Sequence, residues 1–331
     1  MSKINVAVIG VGYWGKKITS EYCLLSKENP NVNLYGVCDV FEDNLKFCKE
    51  KYDVIKAEQD PTAIMSNPEI DAVHICTPSI THYALSKAAL EAGKHVLVEK
   101  PMTMKSENAR QLVDLAHSKN RILSVGHIFR FDAALEKAKM LFETNYFGDL
   151  YWLKLQWTTH MPLMQGRDII TDLAPHPYDI INFIASKWPT KITCIAKAHR
   201  PGQNEETAQI VAILENNIMA HIELSWFYPG KTREVSIIGS RRSAIIDCTK
   251  QEIQGFENGQ FYKIPVKKNN TIRSEIKSFV ECIGKKNIAD SPYCKNRNNG
   301  AVGARVVRLL EITRSSTKNE RTMFIDGWVA T

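Results

Sequence analysis

A lysine between a glutamate and a proline, Glu99-Lys100-Pro101, is the first group in the sequence that could do chemistry. It directly follows the apolar run His95–Val98, which is typical of a buried strand. A charged residue at the end of such a strand is costly to desolvate unless it is paired or used. Lys100 could hydrogen-bond a substrate hydroxyl and move its proton, or it could simply pair with Glu99 or with a phosphate. The local sequence leaves both possibilities open.

The second group is Asp172-Leu-Ala-Pro-His176-Pro. Because proline is tolerated in the first turn of a helix but not deeper, we expect a helix over Pro175–Ala185 with His176 in its first turn. A histidine there, oriented by Asp172, is a candidate general acid or base. One alternative is a metal site, but no third ligand has suitable spacing, and we predict no metal. The other is that Asp172 caps the helix and His176 lies on the surface.

A glycine loop near the N-terminus predicts a ligand that could act together with these groups. The apolar strand Ile4–Ile9 leads into Gly10-x-Gly12-x-x-Gly15, and a helix-compatible segment follows. Gly10 permits a tight turn, Gly12 lets the backbone approach a pyrophosphate, and Gly15 lets the helix pack close to the strand. The context favours a dinucleotide site over a glycine-rich surface turn.

The next strand specifies the cofactor further. Val32–Cys38 is apolar and ends at Asp39, whose carboxylate can accept hydrogen bonds from an adenosine ribose. Its charge would repel a 2′-phosphate, and the residues Val40–Glu42 supply no arginine to reverse this. We therefore predict NAD in preference to NADP.

The remaining predicted cofactor contacts lie in the glycine loop or at the carboxyl ends of neighbouring strands, where ligands bind to open parallel sheets. They are Tyr13, Trp14, Thr77, Pro78, His82, Glu99 and Lys100. Tyr13 and Trp14 could flank a nicotinamide or simply pack. His82, one turn into a predicted helix, could contact the ligand or be a structural histidine.

Strands and helices alternate through the first 125 residues. Predicted strands include Ile70–Cys76 and Ile122–Val125, and Ser79–Ala92 and Ser106–Ser118 are predicted helices. Repeated units of this kind make a parallel sheet with right-handed crossovers. We therefore assign residues 1–125 to a dinucleotide-binding Rossmann domain.

The pattern changes near residue 148, where strands follow one another directly. The predicted strands are Leu150–Trp157, Ile192–Ala198, Thr207–Leu214, Met219–Trp226, Glu234–Ile238 and Ser243–Asp247. Later helices are predicted over Ile272–Cys282 and Ala301–Ser315. Residues 126–331 therefore form an α+β domain with a large, mostly antiparallel open sheet, and the overall fold class is α/β.

Length and composition exclude several classes of protein. A chain of 331 residues suggests two domains, and 44% hydrophobic with 24% charged residues is typical of a globular enzyme. The net charge of +7 is spread along the chain, so we expect no nucleic-acid partner. No apolar stretch approaches the ~20 residues that cross a bilayer, so we expect no membrane partner. Eight scattered cysteines without a Cys-x-x-Cys pair indicate a cytoplasmic location.

Together these motifs resemble the glucose–fructose oxidoreductase/inositol dehydrogenase/rhizopine-catabolism (Gfo/Idh/MocA) family. The resemblance covers nearly the whole chain. It implies a Rossmann domain, tightly held NAD or NADP, and a C-terminal open sheet that forms oligomers, here a homodimer or homotetramer. It also makes Lys100 the catalytic lysine, His176 the general acid/base and Asp172 a substrate-positioning carboxylate, with a cis bond between Lys100 and Pro101.

Within the family, Gly126-His127-Ile-Phe129-Arg130-Phe131 looks most like the nucleotide-sugar 3-dehydrogenase branch. Phe129 stands where that branch usually has glutamate. Arg130 is a candidate contact for a substrate phosphate or carboxylate. The resulting hypothesis is a dehydrogenase that transfers hydride between the nicotinamide and a secondary alcohol of a sugar or nucleotide-sugar, at C3 of the pyranose. The alternatives are an inositol or free-sugar dehydrogenase, and a dinucleotide-binding regulator without catalytic activity.

Overall fold

The strand β1 (Ile4–Ile9) lies at the centre of a sheet and is buried at nearly every residue, as its apolar sequence predicts. The computed structural model describes residues 3–52, 54–162, 166–284 and 296–325. The other strands of this sheet are β2 (Val32–Cys38), β3 (Lys56–Glu58), β4 (Ala72–Ile75), β5 (His95–Val98) and β6 (Leu123–Val125). Their spatial order is β3-β2-β1-β4-β5-β6 and all pairs are parallel. This is the doubly wound order of dinucleotide-binding domains, and it confirms the predicted Rossmann sheet.

Helices connect these strands in sequence. They are α1 (Tyr13–Glu28), α2 (Glu42–Lys51), α3 (Pro61–Met65), α4 (His82–Glu91) and α5 (Ser106–Ser118). The hydrophobic side chains of α1, with Ile18, Tyr22 and Leu25 buried, join those of β1 and β2 in one core. The amphipathic pattern of α1 therefore fixes it against the sheet, and the turn before it is the glycine loop.

A second sheet of nine strands follows, and it confirms the predicted antiparallel architecture. Its strands are β7 (Leu150–His160), β8 (Pro189–Lys197), β9 (Thr207–Leu214), β10 (Met219–Ser225), β11 (Phe227–Gly239), β12 (Ser243–Asp247), β13 (Glu252–Glu257), β14 (Gln260–Ile264) and β15 (Met323–Phe324). The order is β14-β13-β12-β11-β7-β10-β9-β8-β15. Only the β7–β10 pair among these described strands is parallel.

The remaining helices are α6 (Ala133–Glu143), α7 (Ile169–Leu173), α8 (Pro175–Ala185), α9 (Thr271–Gly284) and α10 (Gly300–Asn319). One face of the nine-stranded sheet is buried, as the alternation along β9 shows, with Ala208, Ile210 and Ala212 inward. By strand register, the other face carries apolar side chains that are exposed: Ile195, Val211, Met219 and Phe324.

The chain forms two compact units, Met1–Ile128 with Asn270–Val307, and Phe129–Asn269 with Arg308–Thr331. The predicted division, residues 1–125 and 126–331, differs from this because it leaves 270–307 in the second domain. The physical reason is that α9 packs against α1. Its buried residues Ile276, Phe279 and Val280 belong to the same core as β1 and β2.

Some elements were not predicted from the sequence. They are β3, α6, α7 and the strands β13, β14 and β15. The start of α6 is set by Asp132, whose Oδ1 accepts hydrogen bonds from the N–H groups of Ala134 and Leu135, at 2.9 and 3.1 Å. The predicted strand Glu234–Ile238 is the second half of the longer β11, which continues past a register shift.

Candidate active site

The three loop glycines each answer a different steric demand. Gly10 has φ +87°, and a Cβ there would lie 2.8 Å from the Thr77 backbone nitrogen. A Cβ on Gly15 would lie 1.8 Å from the Gly10 carbonyl oxygen, so only glycine lets α1 begin this close to β1. Gly12 is the N-cap of α1, and a Cβ there meets no protein atom within 4 Å. The start of α1 thus offers backbone N–H groups on an unobstructed side, which fits a pyrophosphate.

Asp39 is tied to this loop. Its Oδ2 accepts a hydrogen bond from the Val11 N–H at 2.7 Å, and its Oδ1 accepts one from the Phe41 N–H at 2.9 Å. The residue is 8% exposed. The carboxylate is therefore held in place at the end of β2, with acceptor capacity left on both oxygens. This geometry fits recognition of two ribose hydroxyls.

Glu99 joins the glycine loop to the middle of the sheet. Trp14 Nε1 donates to Glu99 Oε1 at 2.6 Å, and His74 Nε2 lies 3.5 Å from the same oxygen. A Cβ on Gly126 would lie 2.6 Å from Glu99 Oε2, so a larger residue there would displace the Glu99 carboxylate. Burial alone would raise the pKa of Glu99, but His74 and the Trp14 hydrogen bond hold it below its usual value. Glu99 is thus an ionised anchor for Trp14.

His82 holds the segment that carries Lys100. Its Nδ1 lies 2.8 Å from the Pro101 carbonyl oxygen, and its Nε2 lies 2.8 Å from the Thr77 carbonyl oxygen. The Lys100–Pro101 bond is cis, as the resemblance implied. Burial lowers the pKa of His82, although the two carbonyls oppose that effect. These contacts support the structural interpretation of His82, and one of them holds the Pro101 carbonyl directly after Lys100.

Two polar residues shortly before Lys100, Lys94 and His95, serve the scaffold. Lys94 Nζ donates to the carbonyls of Asn67 and Ile70, at 2.6 and 2.7 Å. His95 Nδ1 accepts from the Ile122 N–H at 2.9 Å. Burial, helped by the charge of Arg121, lowers the pKa of His95 to about 4. Within the stretch from Lys94 to Lys100, Lys94 and His95 are therefore engaged in holding the backbone.

In the second unit, His176 lies in the first turn of α8, as predicted. The N-cap of α8 is Ala174 and has no side-chain cap, whereas Asp172 belongs to α7. The alternative in which Asp172 caps this helix is therefore wrong. The centroid of the His176 ring lies 5.0 Å from that of Phe129, in an edge-on arrangement, and 6.3 Å from that of Trp157. His176 is partly buried. His176 is thus set in an aromatic wall that Phe129 completes.

Arg130 is buried in this unit. Its Nε donates to Asp179 Oδ1 at 2.5 Å and its Nη2 to Asn182 Oδ1 at 2.7 Å, both on α8. These bonds give Arg130 a structural task, which is to hold the helix that carries His176. Its contact with a substrate phosphate or carboxylate remains a prediction.

Arg233 on β11 is a charged residue of this unit that no sequence motif indicates. Its guanidinium lies 5.6 Å from the Trp157 ring centroid, and its Nη1 donates to the Thr158 carbonyl at 2.8 Å. Burial lowers the pKa of Arg233 to about 10, against the opposing charge of Asp172. The available signal was its position, since strand alternation places Arg233 on the inward face with Val235 and Ile237.

Within the described ranges, one group could supply three ligands to a metal ion. It consists of His74, Cys76 and Glu99, whose ligand atoms lie within 4.8 Å of one another. Burial raises the pKa of the Cys76 thiol well above its usual value, which opposes the thiolate that a metal requires. Glu99 Oε1 already accepts from Trp14. The arrangement fits a hydrogen-bonded cluster better than a metal centre.

The fold and the first unit define an NAD-binding oxidoreductase of the Rossmann class. A sequence model described as oxidoreductase family, NAD-binding Rossmann fold, matches residues 4–127, and the Gfo/Idh/MocA C-terminal domain model matches residues 135–245. Together they span more than half of the chain. The protein belongs to the Gfo/Idh/MocA family.

Individual relatives extend this assignment. UDP-N-acetylglucosamine 3-dehydrogenase of Acidithiobacillus ferrooxidans is 24% identical over 318 residues, which are 93% of this chain and 95% of that protein. Its solved structure covers 96% of this chain and 99% of its own, with a TM-score of 0.83. Myo-inositol 2-dehydrogenase of Thermotoga maritima is 29% identical over 55% of this chain and 54% of its own length. Levoglucosan dehydrogenase in complex with NADH shares the fold, with a TM-score of 0.87 at 17% identity over 99% of this chain and 100% of its own.

Among the described helices, none combines the length and apolar character needed to span a bilayer.

Proposed function

We propose that this protein is an NAD-dependent dehydrogenase acting on a secondary alcohol of a sugar, in particular C3 of a nucleotide-linked pyranose. The observation that carries the proposal is Lys100, presented just after β5 by a backbone whose Pro101 carbonyl lies against His82, while the other ring nitrogen of His82 lies against the Thr77 carbonyl of the neighbouring segment. An ordinary surface lysine has no need of such support. The similarity to a UDP-N-acetylglucosamine 3-dehydrogenase over nearly the whole chain favours the nucleotide-linked substrate.

Each candidate residue has one task in this proposal. The bound dinucleotide supplies the two-electron oxidant for the alcohol. Lys100 Nζ hydrogen-bonds the substrate hydroxyl and moves its proton, and the His176 imidazole acts as general acid/base. Asp172 orients a substrate hydroxyl as a hydrogen-bond acceptor. Trp14, held by Glu99, would flank the nicotinamide of the bound cofactor.

The choice of NAD over NADP rests on Asp39. Its carboxylate is fixed by the Val11 and Phe41 N–H groups and cannot turn away from an incoming 2′-phosphate without losing them. The repulsion would act at short range in a partly buried setting, where charge interactions are strong. Discrimination against NADP should therefore be intrinsic to the first unit.

A dehydrogenase for inositol or a free sugar is the second candidate, and the similarity to myo-inositol 2-dehydrogenase favours it. The two candidates separate in one assay. The protein is incubated with NAD and a panel of UDP-N-acetylglucosamine, glucose and myo-inositol while the absorbance of reduced nicotinamide is recorded. Reduction only with the cyclitol or the free sugar would replace the first candidate. No reduction with any alcohol, despite NAD binding, would favour a regulator without catalytic activity.

We further propose a cytoplasmic homodimer or homotetramer. The open face of the nine-stranded sheet supports this, because Ile195 and Phe324 are 67% and 66% exposed there. The seven cysteines in the described ranges form no disulfide, in keeping with a reducing compartment. Light scattering tests the assembly: Ile195→Glu should lower the oligomer mass, while Ile80→Glu, an exposed position in the first unit, should not.

A further inference from the structure

Arg233 interrupts an otherwise apolar row on the covered face of the nine-stranded sheet. Val235 and Ile237, which share its face of β11, are buried. Across the strand pair Arg233 lies opposite Trp157, which is completely buried. Arginine is rarely placed among such neighbours unless its charge has a partner or a use.

The bonds that Arg233 makes leave most of its donors available. Nη1 donates to the carbonyl oxygens of Thr158 and Thr232, each at 2.8 Å. Among the described residues, Nε and Nη2 have no hydrogen-bond partner. These two nitrogens form the edge of the guanidinium that binds carboxylate and phosphate oxygens in pairs. The guanidinium carbon lies 5.6 Å from the Trp157 ring centroid, and the two Nη1 hydrogen bonds hold the group beside that ring.

Arg233 lies near His176 and Asp172, the two candidate catalytic residues of the second unit. Trp157, under the guanidinium, also contacts the ring of His176. The charge of Asp172 acts on Arg233. One more buried polar atom on the same face of the sheet, Trp157 Nε1, has no hydrogen-bond partner in the described part of the chain. Unsatisfied buried polar groups call for an explanation, and a polar ligand supplies one.

We infer that Arg233 binds an anionic group of the substrate, a carboxylate or a phosphate, beside Asp172 and His176. The inference rests on the proposed dehydrogenase function and narrows its substrate to a charged sugar. An anion would pair with the Nε/Nη2 edge, while the uncharged hydroxyls of the same substrate would face Asp172. Arg233 would then set specificity without taking part in proton transfer.

Binding to the NADH-loaded protein tests this with three probes. Glucuronate carries a carboxylate, UDP-N-acetylglucosamine carries phosphates, and glucose carries neither. Calorimetry should show that Arg233→Gln raises the Kd of one charged probe by roughly 10- to 100-fold, since hydrogen bonds to charged groups have that weight. Glucose affinity should change less than about 3-fold, within the range of a neutral surface substitution. The probe that responds identifies the carboxylate or the phosphate as the recognised group.

Two further variants serve as controls. Arg233→Lys keeps the charge and should retain part of the preference, and circular dichroism would verify its fold if Arg233→Gln does not fold. Arg241→Gln removes the same charge from an exposed turn and should leave all three affinities unchanged. If neither charged probe binds the wild type more tightly than glucose, or all three weaken equally in Arg233→Gln, the inference is wrong. Charge-dependent binding without turnover of any alcohol would overturn the proposed function alone.

Discussion

The two units of this protein stabilise their polar groups in different ways. In the first unit, Asp39 accepts from backbone N–H groups and His82 and Lys94 reach backbone carbonyls, although Glu99 meets the side chains of Trp14 and His74. In the second unit, His176 meets aromatic rings instead, and Arg130 meets the side chain of Asp179. Backbone partners do not change when a side chain is replaced. The first unit is therefore a fixed holder for a common cofactor, while the second can be retuned by single substitutions.

Lys100→Met would produce the largest effect and tests whether the first unit also does chemistry. We expect turnover to fall by about 10²- to 10⁴-fold, the weight of a positioned proton-transfer group. NADH affinity, measured by fluorescence, should stay nearly unchanged because the backbone contacts remain. Lys105→Met, at an exposed lysine before α5, is the matched control. Near-normal turnover in Lys100→Met on the true substrate would reduce the first unit to a holder alone.

The structural role of His95, which precedes Lys100 in the chain, can be tested through the pH dependence of stability. The pKa of His95 is lowered to about 4 by burial, against about 6.5 in an unfolded chain. Between pH ~6.5 and ~4 the unfolded chain binds a proton at His95 that the folded protein does not. The free energy of unfolding should therefore be highest above pH ~6.5 and fall by about 3 kcal/mol in total as the pH drops toward ~4. His95→Gln should flatten this part of the unfolding free energy measured by denaturant titration.

The effect of His95 must be measured as the difference in pH dependence between the wild type and His95→Gln, because other groups titrate in the same pH range. Burial raises the pKa of Asp132 to about 6, which works in the opposite direction as pH falls. His117→Gln, at an exposed histidine of α5, should keep the wild-type pH dependence. An equal slope in wild type and His95→Gln between pH ~7 and ~4 would mean that His95 charges freely in the folded protein.

The first unit could be predicted in detail because its signals are local. The bounds of β1, β2 and β5 follow from runs of apolar residues. The positive φ of Gly10 and the close approach of Gly15 to the Gly10 carbonyl both lie within the loop itself. What the sequence could not show is which charged residues serve the scaffold. Lys94 and Lys100 look alike as letters, and only the fold reveals that Lys94 is occupied by two carbonyls.

The second unit was harder because its site is assembled across strands. His176 was found through the two prolines beside it, which constrain α8 locally. Arg233 and Trp157 meet only through the register of β7 with β11, a pairing between residues far apart in the chain. Likewise, the membership of α9 in the first unit depends on contacts that no local pattern encodes.

His176→Asn examines the aromatic wall of the second unit. We expect turnover to fall by about 10²-fold, the lower end for general acid–base groups, and the acidic limb of the pH–rate profile to flatten. His82→Asn should instead alter the KM for the cofactor, since His82 ties the Thr77 and Pro101 segments together. An acidic limb that survives in His176→Asn would assign the proton to Lys100 and leave His176 as a hydrogen-bonding positioner.

The smallest expected effect concerns Asp39. It tests how strongly the first unit discriminates between NAD and NADP. Asp39→Asn keeps one oxygen for the Val11 or Phe41 N–H but removes the charge. Efficiency with NAD should therefore fall by about 10-fold, the low end for a hydrogen bond to a charged group. Efficiency with NADP should rise relative to NAD because the repulsion of the 2′-phosphate is gone. Asp43→Asn, in the first turn of α2 and exposed, should change neither efficiency. If the wild type already uses NADP as well as NAD, the carboxylate has no selective role and the two backbone bonds of Asp39 only shape the loop.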